Sequence, residues 1–336
     1  MNKYVERGHL TRREHPSLPL AIYNYTPRCT YDRAWDEVTL NARGLVVDIK
    51  SGEVVARPFP KFFNHGEPDA VLPEGEPDEV TVKADGALGI GFNYKGQDIW
   101  TTRGAFTSEQ AEAANWMWGA QMNVLVNGWT YLAEVIHPSS KVIVPYAFEG
   151  FVLLAIRNTT TGEYLHRSIV EAEADRLGMR CVETVTHAGL TALIEESQTM
   201  GAHAEGWVCR WGDHRIKVKS LAYLSVARLM QGLNERRAAD IWYAKQLLPP
   251  EVPEETQQWF YGQCFDLDSA AADAESRALT LLGPGQEFDM KRLAQRHRGH
   301  PLFPLIMTIA RGKTADFRLW VYRQRFNGKP RPAGLR

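Results

Sequence analysis

Lys83-Ala84-Asp85-Gly86 follows directly on a largely β-branched run, Val80-Thr81-Val82. A lysine is a poor nucleophile while it is protonated, and burial or neighbouring positive charge lowers its pKa and frees the amine. A free amine can attack a nucleoside triphosphate at the α-phosphorus and leave a phosphoramidate. Gly86, lacking a Cβ, lets backbone and nucleotide approach closely. On its own the tetrapeptide equally describes a surface lysine beside an Asp-Gly turn, and four further residues narrow it. Glu134 ends Tyr131-Leu132-Ala133-Glu134, 51 residues after Lys83, and Glu205 opens Glu205-Gly206-Trp207-Val208, 71 residues later. Lys217 and Lys219 stand in Ile216-Lys217-Val218-Lys219. Residues i and i+2 of a strand share a face, so the two lysines point the same way. They repel each other unless they share an anion. A triphosphate is such an anion, and two separated carboxylates can position Mg²⁺ on it. Singly, each glutamate reads as an exposed strand-end charge and the lysine pair as a solvated sheet edge. The ordered set of four points instead to a nucleotide site.

The elements that must position these residues are strand-like. From about Tyr23 to Ser220 the runs Gly44–Ile49, Val80–Lys83, Leu88–Phe92, Thr130–Val135, Phe151–Ile156, Gly206–Arg210 and Arg215–Val218 are bounded by Gly, Pro or Asn. Helical patches interrupt them. Thr107 can cap a helix, with Gln110 three residues on, that runs toward Val126. Ser168–Leu177 is amphipathic and stops at Gly178, and Thr191–Met200 is a third candidate. The mixture predicts an α+β fold with antiparallel sheets. After about Leu221 the pattern turns helical: Leu221–Leu248, broken by Pro249 and Pro250, then about 254–282, 287–297, 302–311 and 314–325. Two domains are expected, over 1–224 and 225–336.

The second domain splits its charge. Nine acidic residues and one basic residue, Arg277, lie between Pro249 and Met290, whereas twelve basic residues and one acidic residue, Asp316, lie between Lys291 and Arg336. Phe303, Phe317, Trp320, Tyr322 and Phe326 fall among the basic ones. A basic, aromatic-interleaved segment is the footprint of a nucleic-acid contact, and a solvated helix face over an aromatic core is the alternative.

The bulk numbers exclude several classes. A chain of 336 residues, 44% hydrophobic, can build two domains with real cores. The net charge of −1 carries no information about a nucleic-acid partner. Cys29, Cys181, Cys209 and Cys264 form no C-x-x-C pair, which speaks against a zinc site or disulfide scaffold and suits a reducing cytosol. The N-terminal residues lack the apolar segment of a signal peptide, and no apolar run reaches the ~18 residues of a membrane span. The expected location is cytoplasmic, that of the host cell if the gene belongs to a phage, with no membrane partner.

Taken in order, the motifs resemble the covalent nucleotidyltransferase superfamily of polynucleotide ligases and RNA capping enzymes. There K-x-D-G is motif I, the strand glutamate motif III, E-G with apolar neighbours motif IV and K-x-K motif V. The resemblance implies Lys83 as the residue that takes up AMP, Glu134 near the ribose, and Lys217 and Lys219 on the phosphates. It implies Glu205, with Glu134, as the metal carboxylates, and Phe151 as the aromatic that stacks on the purine. Upstream, Asn41-Ala42-Arg43-Gly44-Leu45-Val46 and Ala56-Arg57-Pro58-Phe59-Pro60-Lys61-Phe62-Phe63-Asn64 resemble signatures of the T-even phage RNA ligase 1 family. By that resemblance Arg43 and Lys61 act on the triphosphate and help eject pyrophosphate, and Phe63 lines the nucleotide pocket. Thr102-Arg103-Gly104 matches a T-K-G segment of the family, with arginine keeping the charge and changing its geometry. Tyr223 matches a family tyrosine. The resemblance covers about Tyr23 to Tyr223. It implies ATP with Mg²⁺ or Mn²⁺, RNA carrying 5′-phosphate and 3′-OH ends (tRNA among the candidates), and a helical C-terminal domain in place of an OB fold. A DNA ligase or guanylyltransferase using the same lysine is the rival enzyme. An inactive ligase fold that only binds nucleic acid is the rival from another class.

Overall fold

The β-branched and aromatic runs become strands in the computed structural model, which describes residues 1–119, 124–140, 142–284 and 288–332. In chain order these are β1 (Leu10–Glu14), β2 (Leu20–Tyr25), β3 (Arg43–Asp48), β4 (Val54–Ala56), β5 (Phe63–Asn64), β6 (Glu79–Val82), β7 (Ala87–Tyr94), β8 (Gln97–Thr102), β9 (Trp129–Ile136), β10 (Gly150–Asn158), β11 (Arg180–Cys181), β12 (Gly206–Trp211) and β13 (His214–Lys219). They form three sheets, in the orders β1-β2-β3-β4, β11-β10-β9-β7-β8 and β5-β13-β12-β6. Among the described residues these sheets pair antiparallel except at the two-residue edges β10–β11 and β5–β13.

Strand β9 is central and buried on both faces, as its continuous apolar run requires. Tyr131, Ala133 and Val135 pack with Trp100 and Phe151 against Ala114, Trp118 and Val170, which come from the helices Glu109–Gly119 and Arg167–Leu177. Leu132 faces the other way, toward Leu20, Ile22 and Val46 of the first sheet and Ile90 and Phe92 of β7. Complete burial of side chains such as Phe92 and Leu132 stabilises by ~1.5–3 kcal/mol each. The third sheet covers one face with Leu193 of the helix Leu190–Thr199, against Val80, Trp207, Cys209 and Val218. Its alternate residues are left for the site.

Several helix boundaries differ from expectation. The cap is Ser108 rather than Thr107, its Oγ accepting the Ala111 N–H at 3.2 Å. Leu125 and Val126 are not helical, and residues 120–123 lie outside the described residues. Gly178 does adopt the left-handed cap, φ 64°.

The chain divides into two units, Met1–Leu224 and Ser225–Arg336. The expected long helix from Leu221 is two, Leu221–Gly232 and Glu235–Tyr243, because Asn234 caps the second by accepting the Arg237 N–H at 3.0 Å. Glu254–Leu282, Met290–His297, Phe303–Ala310 and Phe317–Arg325 follow. Of the aromatics among the basic residues, Tyr322 is buried and Phe303, Phe317, Trp320 and Phe326 are half-buried against the core. Phe303, Phe317 and Trp320 pack around Ala274, Ala278 and Ile306, and Tyr322 and Phe326 around Trp242 and Leu267. Arg318 is also structural: it pairs with Asp268 at 3.0 Å and lies 3.9 Å from the Trp242 ring centroid. Among the described residues of 291–332 the exposed cations are Lys291, Arg292, Arg296, Arg298, Arg311, Lys313, Arg323, Arg325, Lys329 and Arg331. Among the described residues, no helix is long and apolar enough to cross a membrane.

Candidate active site

The site is built where β6, β12 and β13 run side by side. Lys83 continues the β6 pairing, its N–H donating to Gly206 O at 2.8 Å, and Gly206 lies opposite Lys219. Only glycine fits there: φ is +125°, and a Cβ would lie 2.0 Å from Val218 O. That close approach brings Glu205, immediately before Gly206, between two lysines. Its Oε2 lies 2.7 Å from Lys83 Nζ and its Oε1 2.6 Å from Lys219 Nζ, with the Glu205 side chain only 3% exposed. The period of two then lines a cavity of about 470 Å³ with Glu79, Thr81 and Lys83 from β6 and Arg215, Lys217 and Lys219 from β13.

The facing wall comes from the other two sheets. Arg43, Arg103, Glu134, Leu154 and Ala155 line it, together with Gly86 and Leu88. Glu134 sits within β9, not at a strand end as the sequence suggests, and is buried. A Cβ on Gly86 would lie 2.6 Å from Val135 O and 2.9 Å from Glu134 Cγ, so this glycine serves the approach of the Lys83 loop to β9. Arg43 Nη1 is buried without a hydrogen-bond partner, a donor that a ligand can satisfy.

Burial drives the electrostatics. It disfavours the Lys83 ammonium, but the Glu205 and Glu134 carboxylates outweigh that and hold its pKa above the ordinary lysine value. Burial pushes Glu134 up to about 7, with Glu205 adding to the shift and Lys83 opposing it. Lys217 goes the other way, down to about 6, through burial and the charges of Arg43, Lys61, Lys83 and Lys219. Four cations around one buried lysine form a surrounding that suits a polyphosphate anion.

Asp85 faces away from this chemistry and acts as a joint. Its carboxylate accepts the Tyr223 hydroxyl at 2.8 Å and the Ile143 and Val144 N–H groups at 2.7 and 3.0 Å. Its own N–H donates to the Tyr146 hydroxyl oxygen at 2.7 Å. Tyr223 therefore steadies the Lys83 loop, and its ring lies 5.4 Å from Lys219 Nζ.

Three of the sequence assignments move. Phe151 packs on Trp100 at 4.6 Å between centroids and lies on the face of β10 opposite the cavity, so the purine-stacking role expected for it is not met. Leu154 and Ala155 of the same strand line the cavity instead. The run Phe151–Ile156 is apolar throughout, so period two could not tell its faces apart. Lys61 and Phe63 line a neighbouring cleft, with Lys61 Nζ 4.2 Å from the Phe63 ring centroid. Sequence reading missed Glu79, Arg167, Arg210 and Arg215. Glu79 binds Arg167 at 2.8 Å and Arg210 at 3.0 Å and closes the far end of the cavity. Arg215 and Glu79 had a readable signal, since each continues the alternation of the lysines one face-step at a time. Among the described residues no three His, Cys, Asp or Glu converge as a metal site. Glu134 and Glu205 are oxygen donors suited to a hard cation held largely by phosphate and water.

Residues 41–224, more than half of the chain, match the family model described as RNA ligase. The chain belongs to the RNA ligase family. A protein of Thermovibrio ammonificans named as a candidate RNA ligase is 30% identical over 203 residues, 54% of this chain and 51% of that one. RNA ligase 1 of bacteriophage TS2126 is 34% identical over 143 residues, 37% of this chain and 35% of that one. The chain thus matches about half the length of the first and about a third of the second. Among solved structures, an archaeal ATP-dependent RNA ligase is similar with a TM-score of 0.49 and 16% identity, over 94% of this chain and 79% of that one. The matched residues contain the cavity-lining strands from Arg43 to Lys219 and the Asp85–Tyr223 joint, and leave out β2, whose Asn24 also lines the cavity.

Proposed function

We propose that this chain is an ATP-dependent RNA ligase that seals 5′-phosphate and 3′-OH ends through AMP carried on Lys83. The observation that supports this best is the Lys83–Glu205–Lys219 ion triad, set in a cavity where burial and neighbouring cations lower Lys217 to about 6. In the first step the Lys83 amine, having lost its proton, attacks the α-phosphorus of ATP. A P–N bond forms, the bond to the β-phosphate oxygen breaks, and pyrophosphate leaves. In the second, an oxygen of the RNA 5′-phosphate displaces Lys83 and takes the AMP. In the third, the RNA 3′-OH attacks the 5′-phosphate, and AMP departs. Lys217, Lys219, Arg43 and Arg103 hold phosphate oxygens. Glu205 orients the two lysines and is the nearest acceptor for the Lys83 proton. A divalent cation, Mg²⁺ or Mn²⁺, at Glu134 and Glu205 would add positive charge that favours the neutral Lys83 amine. The exposed cations of 291–331 are proposed to hold RNA phosphates, the aromatics and Arg318 having been taken by the core. Cytoplasmic RNA, tRNA among it, is the proposed substrate.

Sealing of nicked or broken RNA, assayed beside DNA of the same sequence and with ATP or GTP, tests this reading. RNA joined with ATP is the expected result. DNA joined as well, or GMP transferred in place of AMP, would favour the rival enzymes. A finer outcome concerns Arg43. If it holds the leaving pyrophosphate, Arg43→Ala should slow ATP-dependent adenylation about 10²-fold. Sealing of pre-adenylated RNA, which skips that step, should fall less than tenfold. Equal losses in both assays would remove this division of labour.

A further inference from the structure

Beside the nucleotide cavity lies a second cleft of about 590 Å³ that shares Phe62 and Arg215 with it. Trp35, Lys61, Phe63 and His214 also line it. Trp35 and Phe63 meet edge to face at 5.7 Å, and Lys61 Nζ lies 4.2 Å from the Phe63 centroid and 5.9 Å from that of Trp35. Phe62 is the seam between the two spaces: Lys217 Nζ lies 4.7 Å from its ring centroid and the Arg43 guanidinium 5.5 Å. Cations over aromatics therefore lead without a break from the phosphate-binding wall into the cleft. Aromatic faces beside cations are the chemistry that holds an unpaired nucleotide, by stacking and phosphate contact.

The reaction itself says which nucleotide. An in-line displacement at the α-phosphorus expels pyrophosphate on the side opposite Lys83. When the RNA 5′-phosphate attacks the same phosphorus, Lys83 is the leaving group. Its P–N bond breaks as a P–O bond forms, and the lysine takes up a proton. The incoming phosphate must then enter from the side that pyrophosphate vacated. Lys61 lines the cleft and stands over the Phe63 ring, next along the chain from the Phe62 ring that Lys217 covers. We propose that this cleft seats the 5′-terminal nucleotide of the RNA strand to be activated, its base against Trp35 and Phe63 and its phosphate passing Lys61. This rests on the ligase reading above.

The test uses the full chain, already adenylated, and a 5′-phosphorylated oligoribonucleotide whose terminal residue carries a base or is abasic. Binding by fluorescence anisotropy and sealing rate are read separately. Loss of the base should weaken binding to the wild type by about 5- to 100-fold, the range of one base–aromatic stack. Trp35→Leu should show that loss with the ordinary oligonucleotide and little more with the abasic one, and Trp35→Phe should recover most of it. Both variants should adenylate at the wild-type rate. Wild-type binding indifferent to the base, or losses from Trp35→Leu and from the abasic end that simply add, would overturn the proposal. Should Trp35→Leu fold poorly, the wild-type and Trp35→Phe arms decide it alone. Base-dependent binding through Trp35 without any sealing would leave the cleft standing and remove the ligase reading.

Discussion

Incubated with ATP and Mg²⁺, the protein should gain the mass of one AMP, and Lys83→Ala should gain none. The rate should fall by more than about 10³-fold, with sealing of 5′-phosphate RNA lost in parallel, because the substitution deletes the proposed nucleophile. The free protein offers a competitor. Burial and the surrounding cations push Lys217 down to about 6, whereas the Glu205 and Glu134 carboxylates hold Lys83 as an ammonium. Nucleophilicity judged from protonation alone would therefore choose Lys217. Geometry chooses Lys83. Lys217 lies among Arg43, Lys61, Lys83 and Lys219, and a bound triphosphate restores its proton by supplying the missing negative charge. Lys83 is hydrogen-bonded at 2.7 Å to a carboxylate that can take its proton. Peptide mapping of the adenylated protein decides between them. AMP on Lys217, or an adenylate that survives in Lys83→Ala, would sink the assignment.

How far the sequence showed this site depends on which physical rule each residue obeys. Lys217 and Lys219 were legible because a strand period of two is visible in four residues. Lys83, Glu134 and Glu205 were legible as an ordered set, but their mutual contact was not: Glu205 reaches Lys83 across 122 positions. The same holds for Glu79, which binds Arg167 and Arg210 from 88 and 131 positions away. The α+β class followed from short bounded runs. The two-residue strands β5 and β11 left no trace, since no periodicity fits in two residues. In the second unit the helices could be read, but not which face each buried. Arg318 counted among the basic residues read as a nucleic-acid contact, and in the structure it is clamped between Asp268 and the Trp242 ring.

Glu205→Gln should reduce adenylation by 10²-fold or more and, contrary to what the sequence suggests, should also destabilise the first unit. Read from the sequence, Glu205 organises a metal and is not a core group, so its loss would spare the fold. In the structure it is 3% exposed and is the ion-pair partner of both Lys83 and Lys219, whose side chains keep only 19% and 20% of their exposure. Removing one member of a buried ion network leaves uncompensated charge, at ~3–5 kcal/mol for full burial. The residual exposure of the two lysines lowers that to roughly 2–3 kcal/mol. For a unit of this size that corresponds to a fall in Tm of roughly 4–12 °C. Glutamine keeps the volume and one acceptor, so the loss reads charge rather than shape. Two effects on rate oppose each other. Without Glu205 the Lys83 pKa should fall and its amine become freer, which favours attack. Lys219 loses its anchor and the cavity loses an oxygen anion for a cation, which disfavours it. The second should win, because an amine that is free but misplaced forfeits the proximity term. ATP without metal should restore much of the lost Tm, since the triphosphate replaces the missing counter-charge for Lys83 and Lys219. A variant that adenylates faster than wild type would show that Glu205 chiefly restrains Lys83. A variant with unchanged Tm would show that the two lysines do not need it.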